Sequence, residues 1–154
     1  MPRSLKTIVN SIYAQRFAAD WSVEFESNVD RLDPLLDQLG SVVPDALRDY
    51  LNHCIPTGGV GAGGLVDFHE LEDLILEHTE AVPGCDFLPH GFFSIAKEGD
   101  GSQFAFCIHD SRVYHLGSGA GRDGTIASIQ ESARSAWSTL AEFLLYIESE
   151  EAKD

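Results

Sequence analysis

The sequence predicts an α+β fold: a single domain with a mostly antiparallel sheet and helices packed against it. Three observations carry that reading. Apolar residues recur at i, i+3, i+4, i+7 in the first half of the chain and again at its end, the stripe of an amphipathic helix. Between those stretches the period shortens, and short apolar runs alternate with turn residues, as in strands. The length of 154 residues, 44% apolar and 23% charged, suits one globular domain. Such a chain buries roughly two thirds of its unfolded surface and needs neither metal nor disulfide to fold.

The elements follow in order. Leu5, Ile8, Val9 and Ile12 mark a first helix, and Leu32, Leu35, Leu36 and Leu39 a second, opened by Asp33-Pro34 and stopped at Gly40. Leu47, Tyr50, Leu51 and Cys54 mark a third, with Pro44 suited to its first turn. Leu71, Leu74, Ile75 and His78 mark a fourth, for which Asp67-x-x-Glu70 resembles a capping box. Leu140, Phe143, Leu144 and Ile147 form the closing helix, opened by Thr139-x-x-Glu142. Between the last two, residues 92–96 read as a strand after Pro89-His90-Gly91. Residues 103–109 and 112–117 read as a hairpin over a two-residue turn, Asp110-Ser111. That register pairs 108 with 113 and 106 with 115, and puts Phe104, Phe106, Ile108 and Val113 on the core face. Leu65-Val66 and residues 125–130 are further strand candidates. Residues 1–40 are expected to form a helical extension packed on the domain of residues 41–150.

Charge narrows the function. There are 25 Asp and Glu against 10 Lys and Arg, a net of −15. Residues 49–96 hold eight acidic residues and no Lys or Arg, whereas residues 1–48 carry a net of −2 and residues 97–154 a net of −5. A surface this acidic repels phosphate backbones, which argues against nucleic acid and for a basic protein partner. No apolar run reaches the roughly 18–20 residues of a membrane span. The N-terminus has polar residues within its apolar positions and reads as a helix, not a signal peptide. Cys54, Cys85 and Cys107 are odd in number and widely spread, as expected of reduced thiols in a cytoplasm.

Motifs for chemistry are weak. Residues 59–64 match G-x-G-x-x-G, but a helix precedes them and a strand-like segment follows, the reverse of the dinucleotide-binding order. Residues 119–124 match it after a strand, yet too little chain remains for a second parallel strand. No cofactor is expected, and residues 58–64, five of them glycine, read as a mobile surface loop without a phosphate ligand. Cys107 and His109 point to one face of the hairpin and His115 to the other, so they do not converge on a metal. No G-x-S-x-G elbow occurs, Cys54 completes an apolar stripe, and His78 sits at a core position of its helix. The chain is therefore expected not to be an enzyme, with no catalytic or metal-binding residues.

The order of motifs is similar to that of a known family. The segment Val43-Pro44-Asp45-Ala46-Leu47-Arg48-Asp49-Tyr50-Leu51 followed by Gly58-Gly59 resembles the entry of the SUKH superfamily, and Phe68-His69-Glu70-Leu71 resembles the strand-to-helix step after it. Phe92-Phe93-Ser94-Ile95-Ala96, Gly99-Asp100-Gly101 and Gln103-Phe104-Ala105-Phe106 resemble its central strand, glycine turn and next strand. Arg112-Val113-Tyr114 and Leu140-Ala141-Glu142-Phe143-Leu144 resemble its hairpin return and closing helix. Ser102 and Cys107-Ile108 depart from the aspartates that members often carry there, and residues 1–40 match no part of it. The resemblance implies a non-catalytic α+β binding domain. Many bacterial members are immunity proteins that neutralise toxins, often nucleases, while others are interaction modules of cell-wall regulation or bind the protein-export channel. An immunity protein facing a basic toxin domain agrees with the charge. An intracellular regulatory or scaffold domain is the alternative within binding proteins, and a small hydrolase or metal enzyme in a divergent fold is the contrasting class.

A docking site is expected on the fourth helix. Successive residues turn by about 100°, which sets Leu71, Leu74, Ile75 and His78 on the core side. Glu70, Asp73, Glu77 and Glu80 then cluster within about 80° on nearly the opposite side, an acidic stripe suited to a cationic partner.

Overall fold

A computed structural model of the chain describes residues 3–16, 24–27, 29–39, 42–57, 66–80, 84–120 and 124–153. The glycine loop expected at residues 58–64 lies outside them, as do Gly40, Leu65 and residues 121–123 of the second glycine motif.

All five helical stripes form helices: α1 (Leu5–Arg16), α2 (Asp33–Gln38), α3 (Asp45–His53), α4 (Leu71–Thr79) and α7 (Leu140–Glu151). Two short helices are additional, α5 (Gly84–Phe87) and α6 (Ile126–Ser132). The strands β1 (Asp67–Phe68), β2 (Phe92–Lys97), β3 (Gln103–Cys107), β4 (Val113–Leu116) and β5 (Ser135–Trp137) form one antiparallel sheet in chain order. The fold is α+β.

Both faces of the sheet are covered, which is why β3 is buried at every residue. Phe104, Phe106 and Val113 face the main core, where Leu5, Ile8, Val9 and Ile12 of α1 meet Leu47 and Leu51 of α3 and Phe143, Leu144 and Ile147 of α7. One buried cluster thus runs from Leu5 to Ile147, across the expected boundary at residue 40. Phe92, Ala105, Cys107, Tyr114 and Leu116 face a smaller core closed by Phe87 and by Ile129 of α6. A bulge between Ser94 and Ala96 turns Ile95 and Ala96 of β2 into the main core.

Several expectations need correction. The hairpin pairs Phe106 with Val113 and Phe104 with His115, two positions from the expected register. Asp110 and Ser111 do not form a two-residue turn, because the hairpin types of that length need positive φ at the first central residue, which Asp110 does not adopt. Instead residues 108–111 span the turn, with Ser111 alone left-handed at φ 60°. Asp110 holds it by accepting hydrogen bonds from the Arg112 N–H (3.0 Å) and the Tyr114 hydroxyl (2.5 Å). A slip of two keeps every side chain on its face, so Phe104, Phe106, Ile108 and Val113 still share the main core.

Residues 125–130 are not a strand: Thr125 caps α6, accepting from the Ser128 N–H (3.1 Å) while Ser128 Oγ accepts from the Thr125 N–H (2.8 Å). The Asp67-x-x-Glu70 box does not form either. Asp67 is in β1, and Glu70 precedes α4 in extended conformation without a side-chain cap bond. The cap at Thr139 does form, with the Glu142 N–H donating to Thr139 Oγ1 at 3.0 Å. No helix among the described residues is long and apolar enough to cross a membrane.

Glycine is required at one close approach. Gly91 has φ +89°, and a Cβ there would meet His109 Nε2 at 2.6 Å. Its carbonyl accepts from the Ile108 N–H, which binds the start of β2 to the end of β3.

Candidate functional site

α4 lies along the edge of β2 that short β1 leaves open. β1 pairs only with Ala96 and Lys97, after which the His69 N–H donates to the Ile95 carbonyl. The Ser94 N–H is met by a side chain: it donates to His78 Nε2 at 2.8 Å, while His78 Nδ1–H donates to the Leu74 carbonyl at 2.7 Å. These two bonds fix a neutral His78, stacked on Phe93 at 4.2 Å, and burial lowers its pKa to about 4. A satisfied buried histidine is what its position in the helix predicts.

Beside it lies a buried polar chain. His69 Nε2 is 2.9 Å from Ser94 Oγ, the Ser94 hydroxyl donates to Gln103 Oε1, and Gln103 Nε2 donates to Glu77 Oε1 at 3.3 Å. The Ser94–His69 contact has the spacing of a nucleophile and base. It is nevertheless sealed: Ser94 has no accessible surface, its proton is directed to Gln103, and burial lowers His69 to about 4. The chain completes hydrogen bonding inside the sheet edge.

This arrangement decides the fate of the four predicted site residues. Asp73 and Glu80 are exposed and Glu70 is half-buried at the head of α4, but Glu77 is buried at 8% exposure among Gln103 and its neighbours. The acidic stripe is therefore broken at Glu77. The physical reason is angular: Glu77 is about 60° from Leu74 around the helix, close enough for a buried amide to draw its carboxylate inward. Gln103, a polar residue at the head of a wholly apolar strand, was the sequence signal for such a partner.

An acidic cleft of about 450 Å³ remains, lined by Glu26, Arg31, Thr57, Glu70, Glu72 and Asp73. Its far wall forms because residues 24–26 run antiparallel to 55–57: the Glu26 N–H donates to the Ile55 carbonyl (2.7 Å) and the Thr57 N–H to the Glu24 carbonyl (3.0 Å). Among the described residues Arg31 is the one cation lining it, and it pairs with Glu72, which holds that carboxyl below its usual range. Glu26, Glu72 and Arg31 were not anticipated, since the contact between residues 31 and 72 joins segments 41 residues apart.

A second cleft, of about 410 Å³, opens between α7 and the end of the sheet that carries the β2–β3 turn. Phe104, His115 and Trp137 form its floor, Tyr146 its outer wall, and Glu98 and Glu150 line its sides. His115 and Cys107 lie on opposite faces of the sheet, as the hairpin parity requires. Among the described residues no three His, Cys, Asp or Glu side chains gather where they could hold a metal.

Comparison with protein-family models, with curated proteins and with solved structures finds no match to this chain.

Proposed function

We propose that this chain is a non-catalytic protein-binding module whose acidic surface takes a basic protein. Within that class we read it as a cytoplasmic immunity protein of SUKH type that neutralises a nuclease-like toxin. The observation that carries this is the cleft of Glu26, Glu70, Glu72 and Asp73 around one arginine, on a chain of net charge −15. Nucleases hold phosphates with lysine and arginine. An array of carboxylates occupies the same groups and raises the rate of encounter. The order of motifs between residues 43 and 144 supports the family, and the antiparallel sheet with helices packed on it agrees with such a domain.

The test is to express the protein encoded beside this one, purify it, and measure its activity with and without this chain. The expected result is a stoichiometric complex in which toxin activity is lost. Association should slow as salt rises, and also when Glu72→Lys and Asp73→Lys are combined. A neighbouring protein that neither binds nor loses activity overturns the toxin reading. Unchanged kinetics in the double variant would instead move the interface away from the α4 cleft.

A further inference from the structure

The cleft beneath α7 is built differently from the one beside α4. Its floor is aromatic: Phe104 stacks on His115 with centroids 4.3 Å apart, and Trp137 lies 5.9 Å from Phe104. Tyr146 stands 5.2 Å from Trp137 at 45° and is 44% exposed, so two ring faces border an open space. Carboxylates enter from both sides, Glu98 after β2 and Glu150 from the last turn of α7.

We propose that this cleft receives an arginine side chain of a basic partner protein, its guanidinium laid against Trp137 and Tyr146 and paired with Glu98 and Glu150. The inference stands on this cleft alone and adds a contact point to the one beside α4. Ring faces attract cations, most strongly where water is partly excluded. A guanidinium is planar, weakly hydrated and forked, so it can stack and reach a carboxylate at once, which an ammonium does less well. The C-terminal end of α7 adds the negative pole of its helix dipole.

The same turn already uses this chemistry within the chain: Glu148 holds Arg3 and Glu151 holds Arg16, both at 2.5 Å. Glu150 is met by Lys153 at 2.6 Å, a pair whose lysine is 71% exposed and readily displaced. His115, whose Nε2 lies 2.9 Å from Ser102 Oγ and 3.7 Å from Glu98 Oε1, adds little opposing charge, because burial lowers its pKa. An aliphatic side chain would satisfy the floor and leave the carboxylates unmatched; an anionic one would be repelled.

The experiment uses the full chain, labelled with ¹⁵N and titrated with a short acetylated Arg-Gly-Arg amide. Parallel titrations use peptides carrying citrulline, the neutral isostere, or lysine in place of arginine. We expect saturable shifts of the Trp137 indole N–H, assigned by its loss in Trp137→Phe, and of the amides of residues 146–150. Binding should be roughly tenfold weaker for citrulline, weaker for lysine, and roughly tenfold weaker for Glu98→Gln combined with Glu150→Gln at unchanged thermal stability. Tyr146→Ala should weaken it as well, which keeps the test valid if the double variant is unstable. Equal binding of the citrulline or lysine peptide, or shifts confined to residues 70–73, would overturn the proposal. None of these results depends on whether the neighbouring protein is a toxin.

Discussion

α4 and α7 are both amphipathic and both rich in carboxylates, yet they use them in opposite ways. On α7, Glu148, Glu150 and Glu151 each meet a cation of this chain, and the Arg16–Glu151 pair is almost wholly buried, at 2% and 6% side-chain exposure. On α4, Asp73 and Glu80 are exposed and join no ion pair among the described residues, while Glu77 turns inward onto the Gln103 amide beside a neutral His78. The difference lies in what packs opposite. Arg3, just before α1, and Arg16 at its end meet α7, whereas on the α4 side Arg31 reaches only Glu72 in the first turn and leaves Asp73 and Glu80 outside any ion pair among the described residues. An acidic count therefore does not locate an interface; the cations across from it decide which carboxylates are structural.

The largest effect should come from breaking the buried pair. Arg16 donates to Glu151 and also to the Val66 carbonyl at 2.8 Å, tying α1 to α7 and to the start of β1. Glu151→Gln removes a carboxylate bonded to a buried guanidinium and should cost about 3–5 kcal/mol, read from urea unfolding. Replacing both partners, Arg16→Met with Glu151→Leu, should recover much of that loss. Glu148→Gln, whose partner Arg3 is well exposed, should barely move the midpoint.

The two buried histidines beside α4 make an acid prediction. His69 and His78 titrate near 4 in the folded protein, against about 6.5 when unfolded. The unfolded chain binds more protons between those values, so stability is complete above about pH 6.5 and falls as the pH drops toward 4. Full titration costs roughly 3 kcal/mol per histidine. Urea midpoints at pH 7.5 and 4.5 measure the fall. His78→Phe strands the Ser94 N–H, should cost about 1–3 kcal/mol at neutral pH, and should flatten the acid slope by its share.

A smaller effect, of opposite sign, is expected under α1. The hydroxyls of Tyr13 and Tyr50 are buried without a hydrogen-bond partner among the described residues. Burial accordingly pushes the Tyr50 pKa well above its ordinary value. Tyr50→Phe removes an unsatisfied group and keeps the ring, so stability should hold or rise by up to about 1 kcal/mol, read from the thermal midpoint.

How much of this was legible follows from the range of each signal. The five helical stripes were, because a period near 3.6 is written within one segment. Strand faces survived a wrong register because side-chain parity repeats every two residues. β5 was not, since three residues carry no period and Ser135–Trp137 becomes a strand only by pairing with β4. Thr125-x-x-Ser128 was a readable cap, hidden behind a β-branched, strand-like start. Of the candidate site, the acidic first turn of α4 was visible, whereas the burial of Glu77 and the pairing of Arg31 with Glu72 are tertiary facts. The aromatic cleft needed Trp137 and Tyr146 brought to one place by β5 and α7.

The smallest stability effect is expected where the interface is proposed, and its smallness is the point. Asp73 lies in the first turn of α4 and Glu80 at its C-terminal cap. A carboxylate is favourable at the first position and unfavourable at the second, by a few tenths of a kcal/mol each. Asp73→Lys should therefore lower stability slightly and Glu80→Lys raise it slightly, leaving the double variant within about 0.5 kcal/mol of the parent. Urea unfolding of the three variants at low and high salt reads both signs, and salt should shrink each. A loss well above 1 kcal/mol for Asp73→Lys would mean that this carboxylate holds the fold as Glu151 does. The contrast between the two helices would then fail, and with it the reason for placing a partner on α4.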